Sequence, residues 1–193
     1  MSLPVATPVV AHVPLRKLTV SSRSSGPTRM RVPDLLCVTD QAADDVLSGR
    51  CDHLLPAGGI PESRRWFTRI HGDDELDIWL ISWVPGHPTE LHDHGGSLGA
   101  LTVLSGSLNE FRWDGRSLRH RRLDAGDQAG FPLGWVHDVV WAPGPITGTA
   151  PSSTLSVHAY SPPLTAMSYY EVTDRNGLRR RHTELTDQPE GSR

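Results

Sequence analysis

The sequence predicts an all-β barrel or sandwich preceded by a short helical region, and two observations predict it. From about residue 64 the chain breaks into short apolar runs rich in β-formers, each bounded by glycine or proline. No helical period alternates with those runs, so a parallel α/β sheet is not expected. At 193 residues the chain is one domain by the usual prior of ~100–200 residues. The domain is read at 31–175, between an N-terminal arm at 1–30 and a polar C-terminal tail at 176–193 that frays.

Residues 1–30 are rich in Pro, Ser, Val and Arg without a sustained period, which suits a mobile arm. Residues 34–49 read as a helix. Thr39 or Asp40 is the expected N-cap, Gly49 the expected stop, and Leu35, Leu36, Val46 and Leu47 the expected packing face. Residues 50–63 hold two prolines and a Gly-Gly pair and read as a loop. Leu76–Trp83 is a long apolar strand. Leu101–Trp113 is a strand, a turn at Gly106 and a strand, and Arg119–Leu123 is a polar-edged strand leading into Gly126. Val136–Trp141 is a strand and Pro143–Ser153 a loop. In Leu155–Tyr160, Ser156, His158 and Tyr160 fall on one face, Leu155 and Val157 on the other. Residues 168–173 are expected to add a last edge strand.

The net charge of −3 and the lack of a basic face give no sign of nucleic-acid binding. The apolar runs fall short of a membrane span, and no charged start followed by an apolar stretch marks a signal peptide. Cys37 and Cys51 are the only cysteines, which suits a reducing compartment, and a cytoplasmic protein is expected. Whether the two pair is left open by the sequence. A monomer or weak homo-oligomer is expected.

The chemistry centres on Gly86–Gly106. His92 and His94 are two apart in an extended segment, so both imidazoles face one side and can share a metal ion. A second stretch, Gly126–His137, carries a Gly, a Pro132-x-Gly134 turn and His137. Together the two resemble the paired motifs of the cupin superfamily, G-x5-H-x-H-x3–4-E-x6-G and G-x5-P-x-G-x2-H-x3-N. Gly86, His92, His94, Gly106, Gly126, Pro132, Gly134 and His137 are in register. Gly99 stands in place of the metal-binding Glu and Trp141 in place of Asn. The resemblance implies a cupin double-stranded β-helix, or jelly-roll, barrel with His92, His94 and His137 as neutral metal ligands and no carboxylate. Asp93 and Asp138 adjoin these ligands but point to the other side of their strands.

A three-histidine cupin resembles the thiol dioxygenases. Ser156-Val-His158-Ala-Tyr160-Ser161-Pro162-Pro163 is similar to the Ser-x-His-x-Tyr-Ser-Pro-Pro signature of cysteine dioxygenase, and Trp66-Phe67-Thr68-Arg69 to its substrate-binding segment. The likeness runs through residues 62–172 and is of the bacterial type. It implies one Fe(II) per chain, with dioxygen as co-substrate and L-cysteine oxidised at sulfur to cysteine sulfinate. It implies a relay of Ser156, His158 and Tyr160, with the Tyr160 hydroxyl reaching substrate and oxygen and His158 orienting it. No carboxylate on that face would complete a hydrolase triad. The plain alternative is a polar outer face on an edge strand. Arg69 is expected to hold the substrate carboxylate, with Arg64 or Arg65 as alternatives, or all three as surface charge. The related mercaptopropionate dioxygenases resemble Gln at this position, so Arg favours cysteine. Animal members carry, at the position of Gly99, a cysteine cross-linked to the tyrosine; Gly99 precludes that bond. Ser161-Pro162 is a candidate cis peptide. The competing readings are a 3-mercaptopropionate or other small-thiol dioxygenase, a different metal cupin enzyme, which usually keeps the missing Glu, and a non-enzymatic metal-binding cupin.

Overall fold

The structure, a computed structural model, describes residues 30–144 and 153–189. The arm expected at 1–30, apart from Met30, and most of the Pro143–Ser153 loop lie outside the described residues. A helix, α1 (Val32–Leu47), and a 3-10 turn at Asp52–Leu54 precede eleven strands. These are β1 (Trp66–Gly72), β2 (Asp77–Trp83), β3 (His92–Asp93), β4 (Leu98–Ser105), β5 (Ser107–Trp113) and β6 (Leu118–Asp124). They continue as β7 (Gln128–Phe131), β8 (His137–Ala142), β9 (Thr154–Ser161), β10 (Ala166–Val172) and β11 (Leu178–Leu185). One antiparallel sheet runs β1-β2-β9-β4-β7 and the other β11-β10-β3-β8-β5-β6, the jelly-roll the motifs imply.

Two apolar layers explain the strand sequences. Trp79, Ile81, Trp83, Leu101, Val103, Leu108, Phe131, Val139 and Tyr160 fill the space between the sheets. Ile78, Leu80, Ala100, Val157 and Ala159 pack instead with Leu35, Ala42 and Ala43 of α1. β2 is therefore buried on both faces, and its near-continuous apolar run follows from that. Gly130 on β7 lets α1 settle, since a Cβ there would collide with Val32 Cγ1.

Three expectations change. The helix begins earlier than its expected cap: the Asp34 carboxylate accepts the Arg31 N–H at 3.0 Å, so the start is built there. Thr39 is fully buried inside the helix, where its hydroxyl donates to the Leu36 carbonyl at 3.1 Å and accepts from Thr102 at 2.9 Å. It is a packing residue, because the helix face toward β4 needs a partner for Thr102. Residues 178–185, expected to fray, form β11 along the whole length of β10, so β10 is not the edge. Their side chains are polar because this edge strand is largely exposed on both faces, with Arg179 and Arg181 near Glu171. Finally, the residues between Gly126 and Pro132, to which the sequence assigns no element, form β7.

Ser161-Pro162 is cis. Cys37 and Cys51 are both free. No helix among the described residues is long and apolar enough to cross a membrane.

Candidate metal centre

β3 and β8 lie side by side with His92 directly opposite His137. Opposed residues of an antiparallel pair share a face. His94 follows two residues after His92, so the pleat returns it to the same side. The three ring centroids are 5.1, 5.0 and 5.2 Å apart, a nearly equilateral set around one point. All three residues are buried, and their candidate ligand atoms lie within 4.8 Å of one another.

Hydrogen bonds fix which nitrogens face that point. The Glu90 carbonyl lies 2.7 Å from His92 Nδ1. A carbonyl only accepts, so Nδ1 carries the hydrogen and Nε2 keeps its lone pair. His137 Nδ1 lies 3.1 Å from Glu110 Oε1 in the same sense, and His137 Nε2 is buried without a hydrogen-bond partner. A carboxylate behind a ligand histidine fixes the tautomer and raises its basicity. Glu110 is 1% exposed and also pairs with Arg121. Burial alone would push its carboxyl up; the hydrogen bonds and charges of His137 and Arg121 together outweigh this and hold it below the usual range. Three imidazoles with buried lone pairs converging are a donor set that fits a divalent transition metal.

Gly99 and the two neighbouring aspartates contribute no ligand. Gly99 lies opposite Tyr160 on β9 and Phe131 on β7. A Cβ there would meet Phe131 Cδ2 at 2.9 Å and the Tyr160 ring at 3.2 Å, so the rings occupy the space of any side chain. Asp93 accepts from the Tyr170 hydroxyl at 2.6 Å and the Gly95 N–H at 2.9 Å. Asp138 contacts Thr89, and burial raises its pKa.

Ser156, His158 and Tyr160 are fully buried on β9, which lies between β2 and β4. The plain reading of an outward polar face on an edge strand therefore does not hold. The row lies on the inter-sheet side, with Val157 and Ala159 toward α1. His158 bridges it, with Nε2 3.0 Å from Ser156 Oγ and Nδ1 3.2 Å from Tyr160 Oη. The Tyr160 ring centroid is 5.0 Å from that of His94, which brings the row against the histidine cluster.

The arginines divide. Arg69 pairs laterally with Trp79, which pairs with His158, so all three stand level on one side of the sheet. Its guanidinium lies over the Trp79 ring at 4.4 Å, with Nε 3.4 Å from Asp77 and Nη2 donating to the Asp187 carbonyl at 3.0 Å. Its side chain is 42% exposed. These partners hold two sides of the fork. Arg65 has its guanidinium nitrogens buried and its Cζ 3.8 Å from the Trp83 ring centroid. Two residues of this interior escaped the sequence reading, Glu110 and Trp83. Each had a signal in strand parity: Glu110 is two from Leu108, and Trp83 two from Ile81, on inward faces.

Among solved structures, the chain is similar to an uncharacterized conserved protein with a double-stranded β-helix domain from Klebsiella pneumoniae. The identity is 17%, over 67% of this chain and 91% of that one, with a TM-score of 0.43. It is also similar to KdgF from Halomonas sp., at 18% identity over 51% of this chain and 80% of that one, TM-score 0.42. An RmlC-like cupin family protein from Methanocaldococcus jannaschii matches at 11% identity over 51% of this chain and 81% of that one, TM-score 0.41. The model of the family described as cysteine dioxygenase type I matches residues 60–173, more than half of the chain. That span holds the three histidines and the Ser156–His158–Tyr160 row, and by it the chain belongs to the cysteine dioxygenase type I family.

Proposed function

We propose that this chain is an Fe(II)-dependent thiol dioxygenase that oxidises L-cysteine with O2 to cysteine sulfinate. The observation that carries the reading is the pairing of a buried, carboxylate-free histidine cluster with the Ser156–His158–Tyr160 row. His92, His94 and His137 would hold one iron per chain. Bound there, ferrous iron supplies the redox-active centre at which a thiolate and dioxygen can meet. His158 holds Tyr160 by its hydroxyl, and Tyr160 presents a donor to negative charge as it develops on oxygen. Phe131, 4.2 Å from the His137 ring and 5.6 Å from that of His94, helps keep water from the centre.

Arg69 receives the substrate carboxylate through the donors that Asp77 and Asp187 leave, since it stands level with His158. Burial raises the Asp77 carboxyl above its ordinary value, against the pull of Arg69. Arg65 is the second candidate, on the strength of its buried guanidinium. The two free cysteines accord with a reducing, cytoplasmic setting.

The test is anaerobic loading with Fe(II), then oxygen uptake with cysteine, 3-mercaptopropionate and cysteamine. Cysteine is expected to consume one O2 per sulfinate formed, and cysteamine, lacking the carboxylate, to react poorly. Arg69→Gln is expected to raise KM for cysteine; a rise in Arg65→Gln alone transfers the role to Arg65. No oxygen uptake with any thiol in the iron-loaded protein would refute the reading.

A further inference from the structure

Trp83, the last residue of β2, is buried and touches two groups at once. Its face carries Arg65, whose guanidinium carbon is 3.8 Å from the ring centroid. Its edge donates from Nε1 to Ser156 Oγ at 2.8 Å. An indole N–H only donates, so Ser156 Oγ is an acceptor in this bond and retains one hydrogen of its own to place. Ser156 is fully buried, and its lateral neighbours across β2 and β4 are Ile81 and Val103, neither of which offers a side-chain acceptor. His158 Nε2, 3.0 Å away, does.

We infer that Trp83, clamped by Arg65, is a positioning residue that sets the proton polarity of the row. Trp83 donates to Ser156, Ser156 donates to His158 Nε2, and the hydrogen of His158 therefore sits on Nδ1. From there it is donated to Tyr160 Oη, 3.2 Å away. The opposite polarity would put donors on both lone pairs of Ser156 Oγ and strand its own hydrogen in an apolar interior, which is costly. With Oη accepting from His158, the phenol hydrogen is directed to a partner other than His158. That is the sense needed for Tyr160 to donate to an oxygen under reaction, and this use of the polarity rests on the thiol dioxygenase reading. The polarity itself does not.

The experiment is long-range 1H–15N correlation NMR of the neutral histidines in the metal-free protein, with His158 assigned by its loss in His158→Gln. The wild-type protein is expected to show His158 as the Nδ1–H tautomer. Trp83→Phe keeps an aromatic face for Arg65 and deletes the donor, which frees Ser156 to rotate. In that variant both His158 tautomers are expected, with kcat for the thiol lowered about 5- to 10-fold, the worth of one hydrogen bond, and KM within about twofold. Circular dichroism establishes that the variant folds. A wild-type His158 in the Nε2–H form overturns the proposal without recourse to any variant. So does a folded Trp83→Phe that keeps a single Nδ1–H tautomer with unchanged kcat. If the protein oxidises no thiol at all, the dioxygenase reading fails and the tautomer still decides the polarity.

Discussion

Replacing Glu110 with Gln should weaken metal binding without touching a ligand. The carboxylate of Glu110 accepts from His137 Nδ1 at 3.1 Å, and both residues are almost wholly buried. Gln is nearly isosteric, and its carbonyl can still accept from Nδ1. What is lost is the charge on the acceptor. A hydrogen bond to a charged group contributes roughly 1.5–3 kcal/mol, and a neutral one roughly 0.5–1.5. The difference, about 1–1.5 kcal/mol, corresponds to about tenfold in affinity. The partner on the other side, Arg121, is 46% exposed, so its lost pairing is screened by solvent and adds little. Glu110→Gln is therefore expected to bind Fe(II) about tenfold more weakly. Glu110→Ala, which removes the acceptor altogether, should approach the upper end of the 10–100-fold range of such second-layer substitutions. The assay is anaerobic competition with a chromophoric chelator, run beside His137→Ala as the ligand-deletion control. An affinity for Glu110→Gln within twofold of wild type, with iron lost from His137→Ala, would refute the reasoning: Glu110 would then be a structural carboxylate that does not tune its histidine.

Tyr160→Phe should retain iron and substrate binding and lose roughly 10²–10³ in kcat, because the role proposed for the hydroxyl is to donate to charge formed during the reaction; steady-state oxygen uptake measures this, and an unchanged kcat would make Tyr160 structural. Gly99→Ala forces a methyl against Phe131 at 2.9 Å, so thermal unfolding should report a loss of about 1–3 kcal/mol, with a turnover defect from the displaced Tyr160 ring. Asp114 closes the β5–β6 hairpin by accepting the Ser117 and Arg116 N–H groups and pairing with Arg119, which lower its pKa from 3.8 to about 2. A folded-state pKa below the unfolded one gives stability present above the unfolded value and lost as pH falls through about 2. Asp114→Ala should therefore lower the melting temperature near neutral pH, and the gap to wild type should close as pH falls through that window. A gap constant with pH would assign the effect to the turn geometry alone.

Much of this protein was legible in its residues because its chemistry is local. His92 and His94 share a strand, Ser156, His158 and Tyr160 share another, and period-two parity places each set on one side whatever the rest of the chain does. Glycine and proline spacing brought His137 into the same frame. Parity gives a face but not which side of the sheet that face meets. Only packing decided that β9 is a central strand with its polar row inside, because α1 takes the opposite face through Leu35, Ala42 and Ala43. Thr39 reads as a cap in sequence and becomes a buried hydroxyl because Thr102 and Gln128 come from strands remote in the chain. β11 reads as a fraying tail because an edge strand exposed on both faces has no apolar alternation to betray it. The partners of Arg69, Glu110 and Trp83 lie on other strands or loops, and a side chain's charge partner is set by tertiary register. The sequence by itself determined the barrel, the three histidines and the row. The tertiary structure decided which carboxylate stands behind His137, which groups hold each arginine, and that an indole anchors Ser156, because each is a contact between segments that only folding brings together.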